Sequence, residues 1–217
     1  MREKRLPELI NIDGWPFRIR KAKQRDKPNR ILLLLHGHLG NEDVMWIFTK
    51  NIPENYTILS PRAPLKLGKN QFSWHKIGPA SPNILQYQEL TAEVLSRVNE
   101  WLADNHIDAE MFDLLGFSQG AVMAYALVIL QPESINRVAA IAGFIPSMWK
   151  ERLSEVNLQG KQFFIAHGTQ DEIIPIGKAI QAKEWLEEQN ALVKFCEADI
   201  GHKLSANCFN SLETFYK

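Results

Sequence analysis

A serine sits between two glycines in "GFSQG", residues 116–120, just after one apolar run and just before a longer one. A serine hydroxyl is a weak nucleophile until an imidazole takes its proton, and that imidazole needs a carboxylate to hold its tautomer and orientation. The pattern G-x-S-x-G is short and made of common residues, so alone it fits a small residue in a tight turn as well as a nucleophile. Context separates the two readings. Ser118 lies where "MFDLLGF" (111–117), a strand-like run, meets a helix starting near Gln119. This is the strand–turn–helix setting that presents a serine at the top of a sheet. Gly116 and Gly120 let neighbouring elements approach a strained turn. The helix N-terminus points at the reacting centre, so the Gln119 N–H is expected to meet a developing oxyanion.

In this setting the acid and then the histidine follow the serine, each on a loop at a strand's end. "FFIAHGTQDEIIP" places Asp171 just after one strand, and "KFCEADIGHKL" places His202 just after the next. The chain has six histidines. His36, His38, His75 and His106 precede Ser118, and His167 ends its strand ahead of the acid. Glu172 and Asp199 compete for the acid's role. Glu172, as the next residue, is expected to point away, and Asp199 lies on the histidine's own loop. The expected triad is therefore Ser118, Asp171 and His202. A second oxyanion donor is expected in the loop after "ILLLLH" (31–36), where Gly37 lets the chain fold close to Ser118. The His38 N–H is the candidate, with Leu39 second.

These residues need a scaffold, and the strand-like runs supply one: residues 31–36, 56–60, 111–117, 137–143, 162–168 and 192–198. Most are continuously apolar, as expected of parallel strands covered on both faces. Helical periodicity runs between them, with Leu90, Val94, Val98 and Trp101 or Leu102 on one face of the first helix. The helix after Ser118 stops at Pro132. Ile176, Ile180 and Leu186 mark another, and Leu204, Cys208, Leu212 and Phe215 mark the last. Alternating strands and helices imply a three-layer α/β sandwich around a mostly parallel sheet, read as one domain over residues 1–217. "GWPFRIRKAK" is expected to add one or two antiparallel edge strands, against the usual exclusion of Pro16 from a sheet. Residues 61–83 form a long irregular loop of the kind that is usually functional. Trp46, Phe72, Trp74, Phe144, Ile145, Ile173 and Ile174 all fall on loops or strand ends at the same face, and together suggest an apolar acyl or alcohol pocket.

The 25 basic and 25 acidic side chains cancel, so no surface for tracking phosphates or anionic lipid is expected, and nucleic acid is not an expected partner. "MREKRLPELI" lacks the apolar core of a signal peptide, which points to the cytoplasm. The longest apolar stretch, "AVMAYALVIL", is about half a membrane span and reads as a buried helix. Cys196 and Cys208 are too few for a disulfide scaffold and read as reduced packing residues.

The quoted residues carry a resemblance. "LLLHGHLGNED", "SPRAP" followed by "FSWH", "LLGFSQGAVMA", "IAGFIP", "HGTQDEIIP" and "GH" make the chain similar to the carboxylesterase, phospholipase and acyl-protein thioesterase family of α/β-hydrolases. The resemblance runs in family order from residue 31 nearly to the end. It implies a compact lipase-like fold without a large cap domain, a Ser118, Asp171, His202 triad, and oxyanion donors at His38 and Gln119. Two departures stand out. Members often read Leu-Gly-Asp after "HG", whereas here His38, Leu39, Gly40, Asn41, Glu42 and Asp43 follow, which is closer to bacterial relatives. The family's Ser-Gly after the next strand is Ala142 and Gly143 here.

Other chemistries fit these residues less well. "HGH" at a strand end also opens the metal site of amidohydrolase barrels, but that needs further ligands on later strand ends and a longer chain. No metal and no other cofactor is implied. A ligand-binding protein built on a hydrolase fold without turnover would usually lack part of the triad. The expectation is hydrolysis of a small-molecule carboxylic ester with a short to medium acyl chain. A thioesterase or lysophospholipase activity and a homodimer stay open. Since a histidine must be neutral to accept the serine's proton, activity is expected to fall on acidification.

Overall fold

The structure is a computed structural model that describes residues 7–23, 28–50, 52–78, 82–109 and 111–217. Part of the leading segment (1–6) and part of the long loop (79–81) lie outside the described residues. In chain order the strands are β1 (Glu8–Ile12), β2 (Trp15–Arg20), β3 (Arg30–Leu35), β4 (Tyr56–Pro61), β5 (Leu65–Gly68), β6 (Gln71–Ser73), β7 (Phe112–Phe117), β8 (Ile135–Ile141), β9 (Gln162–Gly168) and β10 (Leu192–Ala198). The α-helices are α1 (Gln88–Asp104), α2 (Gln119–Leu130), α3 (Lys150–Ser154), α4 (Ile176–Glu188) and α5 (Ala206–Phe215).

Eight strands form one sheet in the order β1-β2-β4-β3-β7-β8-β9-β10. The six expected strands are β3, β4 and β7 to β10, and every neighbouring pair among them is parallel. The continuous apolar run of β3 has a direct cause. Ile31, Leu33 and Leu35 enter the hydrophobic core on one face, and Leu32 and Leu34 enter the core on the other. Helices α1, α2 and α4 supply the first core. A 3-10 turn over Val44–Thr49 and α5 supply the second. Helix α2 is buried all round, as its unbroken apolar sequence requires.

The two antiparallel edge strands are present. β1 pairs with β2, and β2 with β4, with Pro16 accommodated at the second position of β2. The stretch 61–83 is more ordered than expected. β5 and β6 make a hairpin whose Phe72 bridges to Gly40, in the loop after β3. Ile180 departs from the expected stripe and is exposed, because α4 buries Ala179, Ala182, Trp185 and Leu186 instead. β10 is half-exposed because it is the edge of the sheet. Among the described residues no helix is long and apolar enough to cross a membrane.

The cysteines correct the sequence reading. Cys196 and Cys208 are joined in a disulfide, with their Cα atoms 5.7 Å apart. Cys196 lies on β10 and Cys208 on the face of α5 that packs against it, so two positions that each look like packing sites face one another. The bridge spans 12 residues. It is expected to stabilise the fold by about 3 kcal/mol through loss of unfolded-chain entropy. Reduction with a phosphine should therefore lower the melting temperature by roughly 6–12 °C. Calorimetry checks this, alongside alkylation mass spectrometry, in which both thiols should become reactive only after reduction.

Candidate active site

The turn between β7 and α2 holds its serine in a strained backbone. Ser118 has φ 52° and ψ −117°, a conformation that costs a non-glycine residue on the order of 1–3 kcal/mol. Main-chain bonds hold it there: its N–H donates to the Ile141 carbonyl at 2.8 Å, and its carbonyl accepts from Ala121 N–H at 2.9 Å. The flanking glycines are required sterically. A Cβ at residue 116 would stand 2.2 Å from the Gly120 carbonyl oxygen, and one at 120 would stand 1.9 Å from that of Leu35.

Asp171 and His202 arrive on neighbouring loops, after β9 and β10. The His202 Nδ1–H donates to Asp171 Oδ2 at 2.7 Å, and Oδ1 accepts the N–H groups of Ile173 and Ile174, each at 2.9 Å. Burial alone would raise the pKa of this carboxyl. The donors from Ile174, His202 and Ile173 outweigh it and hold the pKa below the ordinary value. Its stabilising contribution is thus present above the ordinary carboxylate pKa and lost as pH falls through the lowered one. His167 also approaches the acid, with Nε2 3.3 Å from Asp171 Oδ2 and 2.8 Å from the Ile174 carbonyl.

Ser118 and His202 line one cleft of about 500 Å³, together with Gly37, His38 and Gln119. The cleft also includes Phe144, Ile173 and Ile174 from the expected pocket. Phe117 packs beneath the His202 ring, with centroids 5.1 Å apart. Leu39 lies instead on an adjoining apolar hollow of about 440 Å³, which shares Gly37, His38 and Phe117 with the cleft.

Four expected contacts are not part of the cleft lining. Trp46 donates its indole N–H to the Glu42 carbonyl and packs on the second core. Phe72 lies under the Arg62 guanidinium, 4.7 Å from its ring centre, where Arg62 forms a bidentate pair with the buried Glu42. Trp74 is 2% exposed and donates to the His36 carbonyl at 2.7 Å, and Ile145 is 1% exposed. The aromatics each have a polar partner or cation inside the protein, and that partner draws them off the surface. In their place His75, Ile77, Pro82 and Val122 line the wall. Val122 stands one helical turn after Ser118, a spacing that was legible. His75 and Ile77 belong to the long loop already singled out for function.

The model of the phospholipase/carboxylesterase family matches residues 19–217. The chain belongs to that family. It is thereby placed among ester-hydrolysing enzymes. It is 28% identical to the esterase YpfH of Escherichia coli over 188 residues, 82% of this chain and 78% of that one. It is 34% identical to acyl-protein thioesterase 1 of Saccharomyces cerevisiae over 87 residues, a match spanning only 39% of this chain and 38% of the relative. The fold matches that of a Bacillus cereus carboxylesterase with a TM-score of 0.80, at 23% identity and covering 94% of each chain.

In this member of the phospholipase/carboxylesterase family, His36 of the "HGH" stretch is a structural residue. Its Nε2 accepts the Ala63 N–H at 3.0 Å, which leaves Nδ1–H to donate to the Gly37 carbonyl at 2.7 Å. Burial pushes its pKa down to about 4, and the contacts with Gly37 and Glu42 only partly oppose this. From roughly pH 6.5 down to that value, the unfolded chain binds a proton that the folded chain refuses. Stability should be full above this window and fall by up to about 3 kcal/mol across it. Urea unfolding of wild type and His36→Asn at pH 7 and pH 4.5 tests this. The variant starts less stable but should lose less on acidification, and equal losses would assign the pH dependence elsewhere.

Proposed function

We propose that the protein hydrolyses carboxylic esters of short to medium acyl chains through an acyl-enzyme on Ser118. The observation that carries this reading is the strained serine sharing one cleft with an imidazole that is itself tied to a buried carboxylate at 2.7 Å. Ser118 Oγ attacks the substrate carbonyl while His202 takes the hydroxyl proton, giving a tetrahedral oxyanion that the His38 and Gln119 N–H groups stabilise. Collapse expels the alkoxide, which receives that proton from His202. Water, deprotonated by the same imidazole, then releases the acid and restores Ser118. Asp171 keeps the proton on His202 Nδ1, leaving Nε2 as the base.

The apolar lining from Ile77, Pro82, Val122, Phe144, Ile173 and Ile174 supports an apolar acyl group. Each methylene that enters should contribute up to about 0.8 kcal/mol. kcat/KM should therefore rise with chain length and level off at or below about eight carbons, when the cleft is full. The likeness to yeast acyl-protein thioesterase 1 favours a second reading, a thioester substrate at the same centre.

Fluorophosphonate labelling tests the mechanism, because a wild-type protein that forms no adduct at Ser118 does not use it. Ser118→Ala or His202→Ala should lower the rate by about three to six decades with melting temperatures changed by only a few degrees, and Asp171→Asn should lower it by roughly four decades. A panel of p-nitrophenyl esters and acyl thioesters from about two to sixteen carbons decides the substrate. Preference for the longest chains would turn the assignment to a depalmitoylating or lysophospholipase activity.

A further inference from the structure

One buried hydroxyl joins the two arms of the proposed oxyanion site. Ser73, at the end of β6, is fully buried. Its Oγ lies 2.5 Å from the His75 carbonyl, 2.9 Å from Gln119 Nε2 and 3.1 Å from His38 Nδ1. A hydroxyl has one proton to give and two lone pairs to receive. The proton goes to the His75 carbonyl, which has none of its own to offer. The lone pairs accept the Gln119 amide N–H and the His38 Nδ1–H. This closes the hydroxyl's capacity, so the 3.1 Å approach of Gln119 Oε1 is a contact without a proton. Oε1 instead accepts the Trp74 N–H at 3.0 Å. The arrangement fixes the Gln119 amide orientation and makes His38 the Nδ1–H tautomer.

His38 and Gln119 are the two residues whose backbone N–H groups are proposed to receive the oxyanion, and they come from separate elements, the loop after β3 and the first position of α2. Nothing in their own main-chain bonding joins loop to helix, but their side chains converge on the same oxygen. We propose that Ser73 is a positioning residue, setting the separation of the two oxyanion donors by tethering both side chains. The hairpin holds the tether firm, since Phe72 N–H donates to the Gly40 carbonyl at 3.0 Å, beside the same loop. Ser73 also fixes the His75 carbonyl, so the cleft wall and the oxyanion site share one anchor. The inference rests on the function proposed above. A displacement of donors by a fraction of an ångström weakens the tetrahedral state more than the ground state, so the effect belongs in kcat.

The test compares Ser73→Ala and Ser73→Cys with wild type, using a p-nitrophenyl ester and an acyl trifluoromethyl ketone, which forms a tetrahedral adduct with the serine. Ser73→Ala should lower kcat about ten- to a hundredfold and weaken the ketone by a similar factor, with KM within about threefold of wild type. Ser73→Cys keeps the side-chain shape, slightly enlarged, with a weak donor and acceptor, and should fall between the two. A wild type that neither turns over ester nor labels with fluorophosphonate defeats the proposed function itself. If wild type is active, unchanged kcat and ketone affinity in either folded variant overturns the role of Ser73, as does a loss of the native fold in both. Equal rises in KM and falls in ketone affinity, with kcat unchanged, would assign Ser73 to the cleft wall alone.

Discussion

The turn at Ser118 is the constraint from which the rest of the site follows. Its positive φ aims the side chain away from the sheet and into the cleft, and the chain reaches that geometry only where β3, β7 and α2 come within backbone contact. Glycines at 116 and 120 make the approach possible. They do not make it favourable, because strain of on the order of 1–3 kcal/mol must be offset elsewhere. The offset is the packing of α2, whose residues 119–129 are all buried, and the main-chain bonds that lock Ser118 to Ile141, Ala121 and Val122. The site stands at a closely packed junction, and the loops that bring Asp171, His202 and His38 extend from strands of the same sheet on either side of it.

Polar residues under the loops do for irregular backbone what the sheet does for strands. The loop after β3 has no ladder to hold it, so buried side chains take over its hydrogen bonds. His36 spans Ala63 and Gly37, Trp74 caps the His36 carbonyl, and the Glu42–Arg62 pair closes the far side. Each of these groups would be costly if left unsatisfied, and each is partnered by a different part of the same region. Removing one member therefore leaves its partners exposed to that cost, so these contacts tie the segment from residue 61 to 78 to the loop it covers.

This division explains what the sequence made legible. Strands buried on both faces announce themselves as unbroken apolar runs, so β3, β4 and β7 to β10 could be read directly, whereas the short hairpin of β5 and β6, within a stretch rich in Pro, Gly and Asn, could not. The expected order of serine, acid and histidine rests on the order of those parallel strands. Aromatic residues could not be sorted the same way. Phe72, Trp74 and Phe144 look alike as loop aromatics, and only the indole partner of Trp74 and the guanidinium over Phe72 pull two of them inward. The disulfide was hidden for a related reason. Cys196 and Cys208 each occupy a plausible packing position, and their pairing depends on how α5 lies across the edge strand, which no local pattern encodes. Ser73 was likewise invisible, since a single serine in a polar loop carries no sign that three groups will converge on it.

Two imidazoles flank the buried carboxylate, and the surroundings distinguish them. His167 has no side-chain exposure, and its Nε2–H is engaged by the Ile174 carbonyl, so its protonated nitrogen is committed to holding the turn that follows Asp171. His202 retains 16% side-chain exposure and lines the cleft beside Ser118. Asp171 accepts N–H groups from Ile173 and Ile174 on the oxygen that His202 does not use. The carboxylate therefore stays ionised without calling on His167 for charge, and the remaining oxygen is available to orient His202. Of the pair, His202 alone both contacts the acid and opens onto the cleft, which is why the proposed mechanism gives it the proton, while His167 holds the backbone turn that follows the acid.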